Sequence, residues 1–73
     1  MKAIEIRFGQ AIRTRREALG LSQEKFATNV GIHRTYVSQI ELGKVQVSIG
    51  IAEKLAVALD IPLSRLWQEI EET

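Results

Sequence analysis

Hydrophobic positions recur along the chain at intervals of three and four, and no run alternates with period two for long enough to make a strand, so the pattern predicts an all-α fold. Phe8, Ala11, Ile12 and Leu19 form one stripe within a first helix over Ala3–Leu19, and Gly20 supplies a stop. Ser22 is a good N-cap for a second helix, with Glu24 in its first turn and Phe26, Ala27 and Val30 facing inward. Gly31 breaks the chain again. A third helix runs from about Arg34 to Leu42, and Ile32 and Val37 have the spacing of a hydrophobic staple across its start. Gly43 ends it, Lys44–Val47 is a loop, and Ser48 caps a fourth helix whose inward face is Ile51, Ala52, Leu55, Ala56 and Leu59. Pro62 opens a fifth, where a missing N–H costs little, and Leu63, Leu66, Trp67 and Ile70 form its stripe. Residues 1–73 therefore read as one small domain of five helices. Gly50, near the start of the fourth helix, is mildly unfavourable there, and nothing in the pattern explains it.

Composition narrows the class. At 73 residues and 45% hydrophobic content, the chain is globular but close to the lower size limit. Domains this small bury only about 60% of their unfolded surface, so help from a second subunit suits it. The absence of Cys excludes disulfides and thiolate zinc sites. One His and no clustered carboxylates leave no basis for a nucleophile, a general base or a metal site, and the glycines punctuate helices rather than form a phosphate loop. No enzyme, cofactor or small-molecule substrate is expected. Charge interrupts the opening Ile4-Glu5-Ile6-Arg7, unlike a signal peptide. The longest apolar run, Leu55–Leu59, is far too short for a membrane span. The cytoplasm is the expected compartment. Charge is divided along the chain: eight Lys and Arg against four Asp and Glu up to Gly50, then two against five from Ile51 onward. A basic front and an acidic tail point to an anionic partner for the front.

The stretch Ser22–Gly43 carries the chemistry. Two short helices separated by so little chain must cross steeply, which needs a small residue at the approach, supplied by Ala27, and a positive φ at the turn, supplied by Gly31. Val37 and Ile40 plug the third helix onto the second. The opposite face is then polar, with Arg34, Thr35, Ser38 and Gln39, and Tyr36 beside them. A helix bearing such a face fits the major groove of B-DNA.

The runs Leu21-Ser22-Gln23-Glu24-Lys25-Phe26-Ala27, Gly31-Ile32 and Val37-Ser38-Gln39-Ile40-Glu41-Leu42-Gly43 resemble the Cro/C1-type helix-turn-helix family, which includes phage repressors and the controller proteins of restriction–modification systems. The similarity extends from Phe8 to Trp67, and Arg34-Thr35-Tyr36 tilts it toward controller proteins. The resemblance implies base reading by Arg34, Thr35, Ser38 and Gln39. It implies phosphate or backbone contacts for Ser22, Gln23, Tyr36 and Lys44, and a partly buried ion pair between Arg16 and Glu41. Arg13 and Arg15 read as solvated. Two positions depart from the family's pattern. His33 stands where a small Ser, Thr or Asp cap is frequent, and Val47 replaces a common Pro.

The resulting expectation is a sequence-specific regulator of transcription, repressor or activator. It binds duplex DNA as a homodimer at a two-fold operator and blocks or recruits RNA polymerase. With no second domain to dimerise through, the apolar stripe of the last helix, Leu63, Trp67 and Ile70, is the candidate interface. The rival reading is an antitoxin-like adaptor that grips a protein through Glu69, Glu71 and Glu72.

Overall fold

The computed structural model describes residues 2–72 and contains five helices: α1 (Ile4–Ala18), α2 (Gln23–Val30), α3 (Arg34–Glu41), α4 (Ile49–Ala58) and α5 (Leu63–Glu71). Among the described residues there is no strand. The start and end of α2 and the start of α4 have local causes. Ser22 Oγ accepts the Lys25 amide at 3.0 Å, and Ser48 Oγ accepts the Ile51 amide at 3.1 Å. Each hydroxyl satisfies one of the free N–H groups at a helix start. Gly31 closes α2 at φ 88°, in the left-handed region, with its amide and that of Ile32 both donating to the Ala27 carbonyl. This turn redirects the chain straight into α3.

The core is built from all five helices. Phe26, Ile12, Ile40, Leu55, Leu66, Ile70 and Val37 are the largest side chains buried outright. The α1 helix packs on α3 and α5, α2 packs on α3 and α4, and α4 packs on α5. Ile32 and Val37, the two staple residues, both belong to this cluster. The indole of Trp67 lies 5.5 Å from the ring of Phe8, tilted by 47°, a favourable aromatic geometry that ties α5 to α1.

Two apolar assignments change. Leu19 does not continue the α1 stripe: it is the C-cap residue of that helix, and half its surface is exposed. Ile70 is completely buried within the protomer. Its place on the α5 stripe faces the protomer's own core, so it cannot present a surface to a second subunit. Leu63 and Trp67 are also packed against that core, though only half-buried.

One close approach fixes the arrangement of α1 and α3. A Cβ placed on Gly9 would lie 2.3 Å from the Ile40 carbonyl oxygen and 2.7 Å from that of Glu41. The obstacle is backbone and cannot rotate away, so only glycine fits. Gly9→Ala should force the two helices apart and lower stability by about 3 kcal/mol or more, the upper end for an overpacked core. Chemical denaturation would measure this, and a loss below about 0.5 kcal/mol would show that the contact is soft.

Candidate nucleic-acid interface

The orientation of α3 is set at both ends and along its inner side. Val37 and Ile40 are buried against the core, and so is Glu41, whose side chain keeps only 3% of its exposure. The Glu41 carboxylate receives Arg16 Nε at 2.7 Å and Arg16 Nη2 at 3.1 Å, a two-pronged contact between α1 and the last residue of α3. The third arm of the guanidinium, Nη1, donates to the Leu21 carbonyl at 2.7 Å, in the chain entering α2. Gln23 Nε2 donates to Glu41 Oε1 at 3.0 Å. One buried cluster thus joins α1, the start of α2 and the end of α3. Hydrogen bonding to Glu41 raises the Arg16 guanidinium above its already high pKa. The pair stays charged, with its donors and acceptors matched.

At the other end, His33 is the N-cap of α3. Its Nδ1 accepts the Thr35 amide at 3.0 Å, an unusual cap but a complete one. The departure from the common Ser, Thr or Asp therefore leaves the helix start satisfied.

Between these anchors, α3 turns its polar face outward. Arg34, Thr35 and Gln39 are exposed, and Ser38 is half-buried. Tyr36 is half-buried against the core cluster. Lys44 is exposed just beyond the helix, its amide held by the Gln39 carbonyl at 3.0 Å. Ser22 and Gln23 sit at the start of α2, where the Ser22 hydroxyl caps the helix and the Gln23 amide is held by Glu41. The structure thus places Arg34, Thr35, Ser38 and Gln39 on one helix. Lys44 flanks one end of it, and Gln23 is linked to it through Glu41.

The basic residues fall into two groups. Arg13 pairs with Glu17 one turn away, and Arg15 binds Glu69 across the gap from α1 to α5, with Nε at 3.0 Å from Oε1. The expectation that Arg15 is solvated is thus corrected: a carboxylate 54 residues away in sequence covers it. That contact holds the Glu69 carboxyl below the ordinary carboxylate range, and Arg65 adds to the effect. By contrast, Arg34 and Lys44 form no ion pair among the described residues, so their charge is directed at solvent. Sequence reasoning missed three structural participants: Gly9, the cap made by His33, and the Glu69 partner of Arg15. Only His33 left a trace, as an unusual residue at a cap position.

A polar, cation-bearing helix face standing clear of a rigid three-helix corner is the arrangement of a helix-turn-helix protein. The chain belongs to that family: the helix-turn-helix family model (HTH_3) matches residues 12–66. Within the family it is similar to control proteins. It is 45% identical to Control protein C.MunI of Mycoplasma sp over 73 residues, 99% of each chain. It is 42% identical to Control protein C.BamHI of Bacillus amyloliquefaciens over 59 residues, covering 80% of this chain and 73% of the other. The fold matches the restriction–modification controller protein C.AhdI from Aeromonas hydrophila with a TM-score of 0.81 at 46% identity, covering 84% of this chain and 92% of that one. It also matches the biofilm regulator SinR, solved in complex with DNA, with a TM-score of 0.75 at 31% identity, covering 82% and 97%.

The Arg16–Glu41 contact makes a clear expectation for stability. Arg16→Ala strands the Glu41 carboxylate in a buried site and removes the donor to Leu21. It should cost about 3 kcal/mol, read as a fall in thermal midpoint. If Arg16→Ala keeps full thermal stability and loses only DNA affinity, the pair is not what holds α3.

Proposed function

We propose that this protein is a sequence-specific, duplex-DNA-binding regulator of transcription that acts as a homodimer at a two-fold operator. The observation that carries the reading is the outward face of α3, where Arg34, Thr35, Ser38 and Gln39 are grouped on a helix whose inner side is locked to the core. An α-helix fits the major groove, where each base pair presents a distinct set of donors and acceptors. Arg34, at the helix end nearest the turn, donates two parallel hydrogen bonds to guanine O6 and N7. Gln39 reaches an adenine edge, Thr35 meets a thymine methyl, and Ser38 contacts either. Gln23, Ser22, Tyr36 and Lys44 hold phosphates and set the register. The Gln23 amide nitrogen has two hydrogens: one goes to Glu41, and the other remains for a phosphate oxygen.

The chain's similarity to controller proteins over nearly their whole length supports the regulatory reading, as does the DNA-bound state of SinR. Binding beside a promoter then excludes or recruits RNA polymerase from within the cytoplasm, and the protein acts as a regulator rather than an enzyme. No helix among the described residues is long and apolar enough to cross a membrane. Of the three carboxylates of the adaptor reading, Glu69 is taken up by Arg15 and Arg65 within the chain, while Glu71 and Glu72 are exposed.

For the homodimer, the two most exposed large apolar side chains lie on α4, ahead of Leu42, Leu19, Ile4 and Ile6. Ile49 is 81% exposed and Val57 is 72% exposed, two turns apart on one side of the helix. Gly50 lies on this same side. A Cβ there would have only Ser48 Oγ within 4 Å. That is open space at the surface, so packing within the chain does not require a glycine here. Each protomer measures 31 × 23 × 22 Å. On a two-fold operator the α3 helices of two such chains are expected about one DNA turn apart, about 34–36 Å. Val57→Glu should place like charges against each other at the centre of this interface and shift sedimentation from dimer to monomer. An unchanged dimer would move the interface elsewhere.

The test of base reading is a paired titration on operator and scrambled duplexes. Arg34→Ala should lose about 1–3 kcal/mol on the operator at one position per half-site, while keeping salt-sensitive binding to the scrambled duplex. Lys44→Ala should weaken both duplexes alike and lower the salt slope by about one contact. Equal losses on both duplexes for Arg34→Ala would make it a phosphate clamp and pass the reading role to Thr35, Ser38 and Gln39.

A further inference from the structure

His33 caps α3 with a ring nitrogen where most helices use an oxygen. The difference has a chemical consequence. The Thr35 amide donates to Nδ1, so Nδ1 must present its lone pair, and the ring's single proton resides on Nε2. An imidazolium carries protons on both nitrogens. The cap and the protonated ring are therefore mutually exclusive. A Ser, Asn or Asp cap is under no such restriction at neutral or mildly acid pH.

We infer that His33 is a positioning residue whose neutral imidazole fixes the DNA-reading end of α3, so that discrimination between operator and other duplexes depends on proton concentration. The inference rests on the reading of α3 as the helix that enters the groove. His33 immediately precedes Arg34 and Thr35, and all three are exposed. Releasing the cap frees the Thr35 amide and frays the first turn, where Arg34 begins. Binding must then reorder that turn before Arg34 can meet a base.

The charged groups around the ring are few. Among the described residues His33 forms no ion pair, and its hydrogen bond is to the Thr35 amide. The charged groups of α2 are Glu24 and Lys25, in the first turn, while Thr28, Asn29 and Val30 lead uncharged toward His33. The α1 helix meets α3 at the opposite end, where Gly9 faces Ile40 and Glu41 and Arg16 binds Glu41. Arg34 is the adjacent charge on α3 itself.

Protonation also adds a positive charge beside the duplex, which strengthens attraction to any phosphate backbone. The two effects separate in one ratio. Acid should lower the preference for operator over scrambled DNA, while binding to the scrambled duplex is maintained or rises. A merely solvated histidine would raise both affinities alike.

The experiment follows wild type, His33→Asn and His33→Ala between about pH 8 and pH 5, the range in which imidazoles ordinarily change charge. In the free, isotope-labelled chain, NMR reads the His33 ring and the exchange protection of the Thr35 amide. In parallel, the ratio of affinities for a selected operator duplex and its scrambled form is measured at fixed salt. For wild type, Thr35 protection should fall as the ring protonates, and the ratio should drop about fivefold, the size of a lost N-cap. His33→Asn, whose side-chain oxygen accepts at every pH, should keep a high and level ratio. His33→Ala should give a level ratio about fivefold lower. Unchanged Thr35 protection while the ring titrates overturns the cap, and a His33→Asn ratio that follows the wild-type course overturns the proton dependence. A Thr35 response without operator preference at any pH overturns the assignment of α3 as the reading helix, and with it the consequence for discrimination.

Discussion

The Arg16 guanidinium and the Glu41 carboxylate meet at the point where α1, the start of α2 and the end of α3 converge, and the rest of the exposed surface takes its position from that meeting. A buried ion pair is a poor source of net stability, because desolvating two charges offsets most of their attraction. Its value here is geometric. The forked guanidinium accepts one arrangement of carboxylate and carbonyl, in which each of its three nitrogens donates a hydrogen bond. Gly9 makes the same demand in steric form, since it lets the backbone of α1 come to within contact of the last carbonyls of α3. Charge and close packing thus fix the same crossing.

From that crossing follows the division of the basic residues. Those on α1 are committed to the fold: Arg16 to Glu41, Arg15 to Glu69 and Arg13 to Glu17. Those around α3 are not. The net charge of +1 conceals this, because Glu17, Glu41 and Glu69 pair with cations of α1 rather than with those of the presented face. An anionic partner therefore meets Arg34 and Lys44 without first displacing a protein carboxylate.

Much of this was legible in the sequence because it is local. Helix spacing, the serine caps at 22 and 48, the left-handed turn at Gly31 and the buried face of α4 all depend on neighbours within a few residues. What escaped depends on residues distant in sequence. Gly9 carries no signal in the sequence until Ile40 and Glu41 are brought against it. Arg15 reads as solvated until Glu69 folds back. Periodicity showed that Ile70 faces inward or toward a partner, but not which, and the tertiary packing of α5 places it in the protomer core. Conversely, Ile49 and Val57 drew no attention as single apolar residues. Their exposure on one side of α4 emerges only after the other helices have taken their places. His33 was visible as an anomaly, but its meaning required the direction of its Nδ1.

The proposed function requires a symmetric pair of α3 helices, each reading one half-site. Selection of bound duplexes from a random pool tests this most directly, because it assumes neither a sequence nor a spacing. The account predicts enrichment of a two-fold symmetric sequence whose half-sites are centred about one helical turn apart, about 10–10.5 base pairs, or a multiple of it. Recovery of an unsymmetrical single site, or of no enriched sequence, would contradict it.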